Sequence, residues 1–198
     1  PKDAITLFHR ENGTWWKRVD GNRAEPERFV EPKTFHDLAL YYADLGHKVI
    51  KIGDKNQTPL PGKYYDSEFG TEHEHPNIVD FTKYVDKKGD PLWTLQDYLF
   101  ILQNCKVFIS CDAGIWPIAG AMKKNLVFCN VACIFNPPQV ITYNGDMCLL
   151  VKKPEVINWL PTQTTTLLTK KLMPADSGKY ALQDNTAEEI IEATKRFL

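Results

Sequence analysis

Basic side chains follow the first apolar run of the sequence, residues 4–8, and could bind a phosphate group. The basic residues that come first after this run are Arg10, Lys17 and Arg18. A guanidinium group matches two phosphate oxygens at once, and a diphosphate needs roughly two such cationic partners to neutralise it. The alternative is a solvated surface loop whose charges pair with acidic neighbours, and the spacing alone favours this alternative. The acidic neighbours are Glu11, Asp20, Glu25 and Glu27.

A second segment with phosphate-binding chemistry is Asp112-Ala113-Gly114, which lies between a predicted strand and a short predicted helix. Gly114 allows the backbone to approach a ligand closely, and the free N–H groups at a helix start favour an anion. The alternative is that the glycine serves only the turn, since glycine is common at such turns. The sequence has neither the GxGxxG pattern of classical dinucleotide sites nor a Walker lysine motif.

The histidines and cysteines indicate neither a metal site nor a covalent catalyst. His73 and His75 have a spacing that could ligate a metal from an extended loop, but no third ligand accompanies them, so we predict solvated histidines and no bound metal. Every candidate Ser, Cys and His is isolated in sequence, and no catalytic residue is assigned. The five cysteines form no CxxC pair and their odd number does not suit a disulfide framework, which favours the reducing cytoplasm.

The composition is that of an ordinary globular protein, and it bounds the function classes. Among 198 residues, 24 Lys and Arg against 25 Asp and Glu give a net charge of -1, which argues against a general nucleic-acid or membrane-surface binder. No apolar run approaches the roughly 18 residues of a membrane span and no secretory leader opens the chain, so we expect no transmembrane segment. We expect residues 1–198 to form one domain.

Predicted strands and helices alternate along nearly the whole chain, and the strands are apolar without alternating polarity. This pattern is typical of a parallel sheet covered by helices on both faces, so the predicted fold class is α/β. Capping boxes predict three helix starts, at residues 34–37, 94–97 and 186–189, and the last opens a helix over about 186–197. Residues 54–76 are expected to form a loop. The predicted strands are residues 4–8, 48–52, 77–81, 106–110, 126–129 and 147–151.

The stretch from Leu92 to Asn130 resembles the carboxy-terminal half of GT-B glycosyltransferases, most closely the heptosyltransferase-like enzymes of glycosyltransferase family 9. The resemblance rests on LWTLQDYL at residues 92–99 and on NCKVFISCDAG at residues 104–114. The opening strand, the helix that ends near Gly46 and the final helix follow in the same order. Two positions differ: Ala113 stands where the family has Ser or Thr, and Pro117 stands where the family has His, so phosphate contact falls to backbone N–H groups and the basic loop.

The resemblance implies a Rossmann-like three-layer domain that forms one half of a GT-B enzyme. It implies a glycosyltransferase that moves a sugar from a nucleotide-diphosphate sugar to the hydroxyl of a glycan or another acceptor, with no cofactor and no bound metal. The diphosphate would be held by the basic loop and the turn at residues 112–114. The base and ribose would be held by the residues that follow the third strand, which are Phe81, Thr82 and Tyr84.

The resemblance also implies that this chain lacks the acceptor site and the usual catalytic carboxylate, which belong to the other half. Together with the absence of an initiator Met before Pro1, this predicts a donor-binding domain cut from, or working beside, an amino-terminal acceptor-binding half or partner chain. Two alternatives stay open. One is a non-hydrolysing nucleotide-sugar epimerase with the same two-half architecture, and the other is a non-enzymatic α/β interaction module.

Overall fold

A computed structural model describes residues 3–8, 30–55, 57–60, 63–66, 71–111, 115–131, 147–151, 165–167 and 185–198. In chain order its strands are β1 (Ala4–Phe8), β2 (Val49–Lys51), β3 (Lys63–Asp66), β4 (Thr71–Glu74), β5 (Ile78–Asp80), β6 (Cys105–Ser110), β7 (Asn125–Val131), β8 (Met147–Val151) and β9 (Thr165–Leu167). Seven of these strands form one sheet in the order β5-β2-β1-β6-β7-β8-β9, and every pairing in it is parallel. The α/β prediction is therefore confirmed.

Helices cover both faces of this sheet. They are α1 (Pro32–Asp44), α2 (Leu95–Asn104), α3 (Trp116–Ala121) and α4 (Ala187–Thr194). One buried cluster joins α1 and α4 to the sheet and contains Phe35, Tyr42 and Ile190, while a second joins α2 and α3 to the opposite face and contains Leu102 and Ala119. The strands read as continuous apolar runs because both of their faces are buried. Among the described residues, no helix is long and apolar enough to cross a membrane.

The helix starts follow the local capping chemistry at two of the three predicted positions. Thr94 and Thr186 each form a complete capping box with the acidic residue three positions later. The predicted start at residues 34–37 is wrong, since α1 begins at Pro32 and has no side-chain cap. Proline is well suited to the first turn of a helix, where its fixed φ is helical and its missing N–H is not needed, and it sets the start earlier than Thr34 does.

The segment predicted as a loop, residues 54–76, contains an antiparallel pair. Strands β3 and β4 pair from Lys63 opposite Glu74 to Asp66 opposite Thr71, apart from the main sheet. The prediction missed them because the Pro, Gly and charge content of the segment is typical of loops. The next strand is also shorter than predicted, since β5 ends at Asp80 and a 3-10 turn, Phe81–Lys83, follows it. Strand β9 was not predicted at all.

The strand order defines the place where a ligand should bind. Counting only the strands of the main sheet, the order corresponds to 3-2-1-4-5-6-7, which extends the classic Rossmann order by one strand. The strands that follow β1 in the chain, β2 and β5, are added on one side of it, whereas β6 and the later strands are added on its other side. The switch point therefore lies between β1 and β6. Ligands of open α/β sheets bind in the crevice outside the carboxyl ends of the strands at such a switch point.

Candidate functional site

The carboxyl ends of β1 and β6 lie side by side at the switch point. Phe8 pairs with Ser110 at the last register position, and the Cys111 N–H donates to the Phe8 carbonyl oxygen at 3.4 Å. The two segments that are predicted to bind the diphosphate follow directly after these strands. They are Arg10, Lys17 and Arg18 after β1, and Asp112, Ala113 and Gly114 after β6, and all six lie outside the described residues. Their role stays a prediction.

A buried carboxylate organises the neighbouring edge, where β5 ends. Asp80 is 5% exposed, and its Oδ1 accepts hydrogen bonds from the N–H of Thr82 at 2.9 Å and from the Thr82 hydroxyl at 2.5 Å. Its Oδ2 accepts from the N–H of Leu60 at 2.6 Å. Both oxygens are therefore engaged, and the carboxylate ties the segment after β2 to the 3-10 turn after β5.

The residues predicted to hold the base and ribose lie on this turn and just beyond it. Thr82 is buried, and its hydroxyl is already donated to Asp80. Tyr84 is 53% exposed, and its ring centroid lies 5.6 Å from that of Phe81 in a tilted contact. Tyr84 thus offers an aromatic face at the carboxyl edge of the sheet, whereas Thr82 shapes the backbone of the turn. Contact of any of the three with a nucleotide remains a prediction.

The segment after β2 is held by a tyrosine from α2. The N–H of Gly53 donates to the Tyr98 hydroxyl oxygen at 3.0 Å, and the same hydroxyl donates to the Gly53 carbonyl oxygen. The Tyr98 ring stacks on Trp93 with centroids 4.6 Å apart. Burial raises the pKa of Tyr98 well above its usual range, so the hydroxyl keeps its proton and its donor role at any physiological pH. This arrangement fixes where the chain turns after β2.

Gly53 also makes room for a neighbouring amide. Its φ is +155°, and a Cβ at this position would lie 2.1 Å from Gln57 Oε1. We expect Gly53→Ala to destabilise the protein by about 1–3 kcal/mol, because the side chain strains the backbone and displaces the glutamine. Urea unfolding measures the loss. Gly46→Ala is the matched control, since Gly46 has φ +87° but no atom near its Cβ position. Equal losses in the two variants would contradict a role for the glutamine contact.

A pocket of about 480 Å³ lies beside the 3-10 turn that follows β5. Its walls come from the segment after β2 and from the segment after β5. Among the described residues, those that line it are Lys55, Gln57, Pro59, Thr82, Lys83, Val85, Lys88 and Gly89. Three of these described lining residues are lysines and none of them is acidic, so this part of the wall carries positive charge. Sequence reasoning missed it, because the lysines are scattered over two segments that only the fold brings together.

Of the two histidines that were considered as metal ligands, the structure describes the side chain of His75 alone. His75 Nε2 lies 3.3 Å from Asp44 Oδ1, and its Nδ1 accepts the N–H of Asn77. His73 belongs to β4, and its side chain is outside the described part of the structure. Within the described residues, no three His, Cys, Asp or Glu side chains are grouped so that they could hold a metal ion.

Solved structures share this architecture. A glycosyltransferase of family 9 from Veillonella parvula DSM 2008 aligns with a TM-score of 0.57 at 15% identity, over 98% of this chain and 46% of the other. The chain shares the fold of glycosyltransferase family 9. The E. coli heptosyltransferase WaaC with ADP aligns with a TM-score of 0.51 at 10% identity, over 98% of this chain and 44% of that one. The resemblance seen in the sequence is thus confirmed at the level of the fold.

A third structure with the glycosyltransferase fold is the dodecameric iron-containing heptosyltransferase TibC in complex with ADP-D-beta-D-heptose. It aligns with a TM-score of 0.50 at 12% identity, over 100% of this chain and 45% of its own. The chain therefore spans less than half the length of the glycosyltransferases that it matches. No protein-family model matches the sequence, and no curated protein matches it either.

Proposed function

We propose that this chain is the donor-binding, carboxy-terminal half of a GT-B glycosyltransferase that transfers a sugar from a nucleotide-diphosphate sugar to an acceptor hydroxyl. The observation that carries the proposal is the switch point between β1 and β6, where Phe8 and Ser110 are paired at the edge from which both candidate phosphate-binding segments depart. The fold shared with glycosyltransferases whose structures contain ADP or ADP-heptose supports a nucleotide sugar as the ligand.

In the proposed reaction, the bond between the sugar and the diphosphate breaks and negative charge develops on the leaving diphosphate. Fixed donors that point at this charge stabilise the transition state without reorganising. We assign this role to Arg10, Lys17 and Arg18 together with the backbone N–H groups of residues 112–114. The three basic side chains and the backbone donors take the place of a metal ion, and the proposed reaction requires no cofactor.

The nucleoside end of the donor is proposed to lie toward β5. The exposed ring of Tyr84, backed by Phe81, offers a face on which a base can stack. Thr82 fixes the turn that carries both rings through its bonds to Asp80. The acceptor and the catalytic base belong to a second, amino-terminal half, and the complete enzyme acts on a glycan or another hydroxyl compound in the cytoplasm.

The test is nucleotide binding. We expect a nucleoside diphosphate at 100 times its Kd to stabilise the chain by about 2.7 kcal/mol, and we expect UDP, GDP, ADP and CMP to differ in this effect. The double variant Arg10→Ala/Arg18→Ala should bind at least about tenfold more weakly, because each charge-assisted contact to phosphate contributes about 1.5–3 kcal/mol. Isothermal titration calorimetry measures the affinity, and thermal unfolding measures the stabilisation.

The control is Lys48→Ala/Lys123→Ala, which removes the same charge from the opposite edge of the sheet. Both lysines are exposed, and they precede β2 and β7 at the amino ends of these strands. The control should bind the nucleotide as the unmodified protein does. An affinity that is unchanged in the arginine variant would remove the basic loop from the site. A protein that none of the four nucleotides stabilises would instead be a non-enzymatic α/β module.

A further inference from the structure

The pocket beside the 3-10 turn lies at the edge of the sheet to which the proposed function assigns the nucleoside end of the donor. Lys83 and Val85, which flank Tyr84 in the chain, both line it. Its volume of about 480 Å³ is within the range of roughly 300–1,000 Å³ that is usual for small-molecule sites. The exposed ring of Tyr84 offers a stacking face, but every base can stack, so stacking does not choose among bases. That choice depends on the groups that meet the edge of the base.

Backbone carbonyl groups hold two ammonium groups of the pocket wall in place. The Lys55 ammonium donates to the Gly89 carbonyl oxygen at 2.5 Å, and the Lys83 ammonium donates to the Leu60 carbonyl oxygen at 3.1 Å. Each bond joins the segment after β2 to the segment after β5. An ammonium has three N–H donors and no acceptor. Even Lys55, whose ammonium also lies 3.6 Å from the exposed Asp90 carboxylate, therefore keeps a donor for a ligand.

The acceptors of the same walls already accept hydrogen bonds from within the protein. Four backbone carbonyl oxygens each accept a bond from a different side chain: Lys51 donates to Thr58, His36 to Pro59, Lys83 to Leu60 and Lys55 to Gly89. The Thr82 hydroxyl donates to Asp80, and the side-chain oxygen of Gln57 lies against Gly53. None of the described lining residues is acidic. The described part of the wall is therefore richer in available donors than in available acceptors.

Nucleobases differ in the group that they present to such a wall. Guanine has a carbonyl oxygen at C6 beside the acceptor N7, and uracil has a carbonyl oxygen at C4. Adenine and cytosine have an amino group at the corresponding positions, and an amino group donates. An ammonium that meets a carbonyl oxygen forms a hydrogen bond, whereas an ammonium that meets an amino group places two donors against each other. A wall of lysine donors therefore favours a base with a carbonyl group at this position, which we call a keto base.

We propose that Lys55 and Lys83 select a donor nucleotide with a keto base, guanine or uracil, over one with adenine or cytosine. This inference rests on the proposed function for the presence of a nucleotide donor, and it narrows the substrate to a GDP-sugar or a UDP-sugar. The solved structures with the same fold that hold a nucleotide contain ADP or ADP-heptose. The base preference would therefore distinguish this chain from them.

The experiment compares two pairs of nucleotides by isothermal titration calorimetry on the unmodified chain. IDP has a carbonyl group at C6 where ADP has an amino group, and UDP differs from CDP in the same way at C4. We expect the keto member of at least one pair to bind about tenfold or more tightly than its partner, because a well-placed contact to a base edge discriminates by this amount. A preference for IDP indicates a guanine nucleotide as the donor, which GDP then checks, and a preference for UDP indicates a uracil nucleotide.

Two double variants test whether the lysines cause the preference. Lys55→Met/Lys83→Met removes both ammonium groups but keeps unbranched side chains, and it should bind the two members of the preferred pair with similar affinity. Lys87→Met/Lys123→Met is the matched control, because both of these lysines are exposed and neither lines the pocket, and it should keep the preference. The ratio of the two affinities is the readout, since a loss of positive charge weakens both nucleotides alike through their diphosphates.

The possible outcomes separate this inference from the proposed function. Equal affinity within both pairs, or tighter binding of ADP or CDP, overturns the keto-base preference, and the nucleotide binding itself then leaves the transferase proposal standing. A preference that persists in the Lys55→Met/Lys83→Met variant also overturns it, because the groups that select the base then lie elsewhere. If none of the nucleotides binds, the proposed function fails and the base preference fails with it.

Discussion

Asp80→Ala is expected to destabilise the protein by about 3 kcal/mol or more, which is a large fraction of the total stability of a typical domain. The carboxylate of Asp80 accepts hydrogen bonds from three donors, two on Thr82 and one on the buried Leu60. The substitution leaves all three donors without their acceptor in a buried place, and each unsatisfied donor costs about 1–3 kcal/mol. Urea unfolding followed by circular dichroism measures the loss.

Two further variants show whether the cause is the hydrogen bonding. Asp80→Asn keeps the shape and can accept from Thr82, but it places an amide nitrogen toward the Leu60 N–H, so its stability should lie between the two extremes. Asp44→Ala removes an exposed carboxylate with one long contact to His75, and it should cost less than about 0.5 kcal/mol. If Asp80→Ala were as stable as the Asp44 variant, the carboxylate would not organise the edge of the sheet.

The second large effect is on turnover. We expect these 198 residues to bind a nucleoside diphosphate with a Kd in the micromolar to millimolar range and to transfer sugar at the background rate. Transfer requires a base within hydrogen-bond reach of the acceptor hydroxyl. The resemblance places that base in the other half, and the chain spans 44–46% of the glycosyltransferases reported above. Release of nucleoside diphosphate from a panel of sugar donors measures the rate.

Gly114→Val provides the control for this experiment. A β-branched side chain blocks the close approach of the turn to a diphosphate and resists positive φ, so this variant should lose nucleotide binding as well as turnover. Turnover well above background by the unmodified chain alone would contradict the half-enzyme proposal. Asp54 and Asp112, which follow β2 and β6, would then be the candidates for the base. Asp80 also follows this edge, but both of its oxygens already accept hydrogen bonds from the protein.

Local chemistry made part of the fold predictable from the sequence. The capping boxes at Thr94 and Thr186 place the starts of α2 and α4, because all of their bonds lie within four residues. The pairing of β3 with β4 was not predictable in this way, since its polar sequence shows no strand pattern. The helix start predicted from the capping box at Thr34 was wrong, because the neighbouring Pro32 determines where α1 begins.

The candidate site was predictable only where it follows a strand directly. Phe81, Thr82 and Tyr84 were predicted from the family resemblance and from their position after the third strand, and they follow β5 at the carboxyl edge. Their contact with a nucleotide stays a prediction. The pocket lysines and Gln57 were not predicted, because residues 55–59 and 82–89 share no motif and come together only in the folded chain. There the Lys55 ammonium donates to the Gly89 carbonyl oxygen, and Asp80 joins Thr82 to Leu60. The hydrogen bonds between the Tyr98 hydroxyl and the backbone of Gly53 join positions 45 residues apart, and the sequence gives no signal of them either.

The adjacency of β1 and β6 has a consequence for how the protein acquires its ligand site during folding. Their pairing joins residues about a hundred positions apart, and such non-local contacts form slowly because the intervening chain must first close a long loop. A fragment that ends before β6 holds the basic loop but not its companion strand. Nascent chains should therefore gain nucleotide affinity in one step, when β6 has left the ribosome and inserted beside β1. The appearance of binding would report the pairing of β6 with β1, before β7, β8 and β9 have joined the sheet.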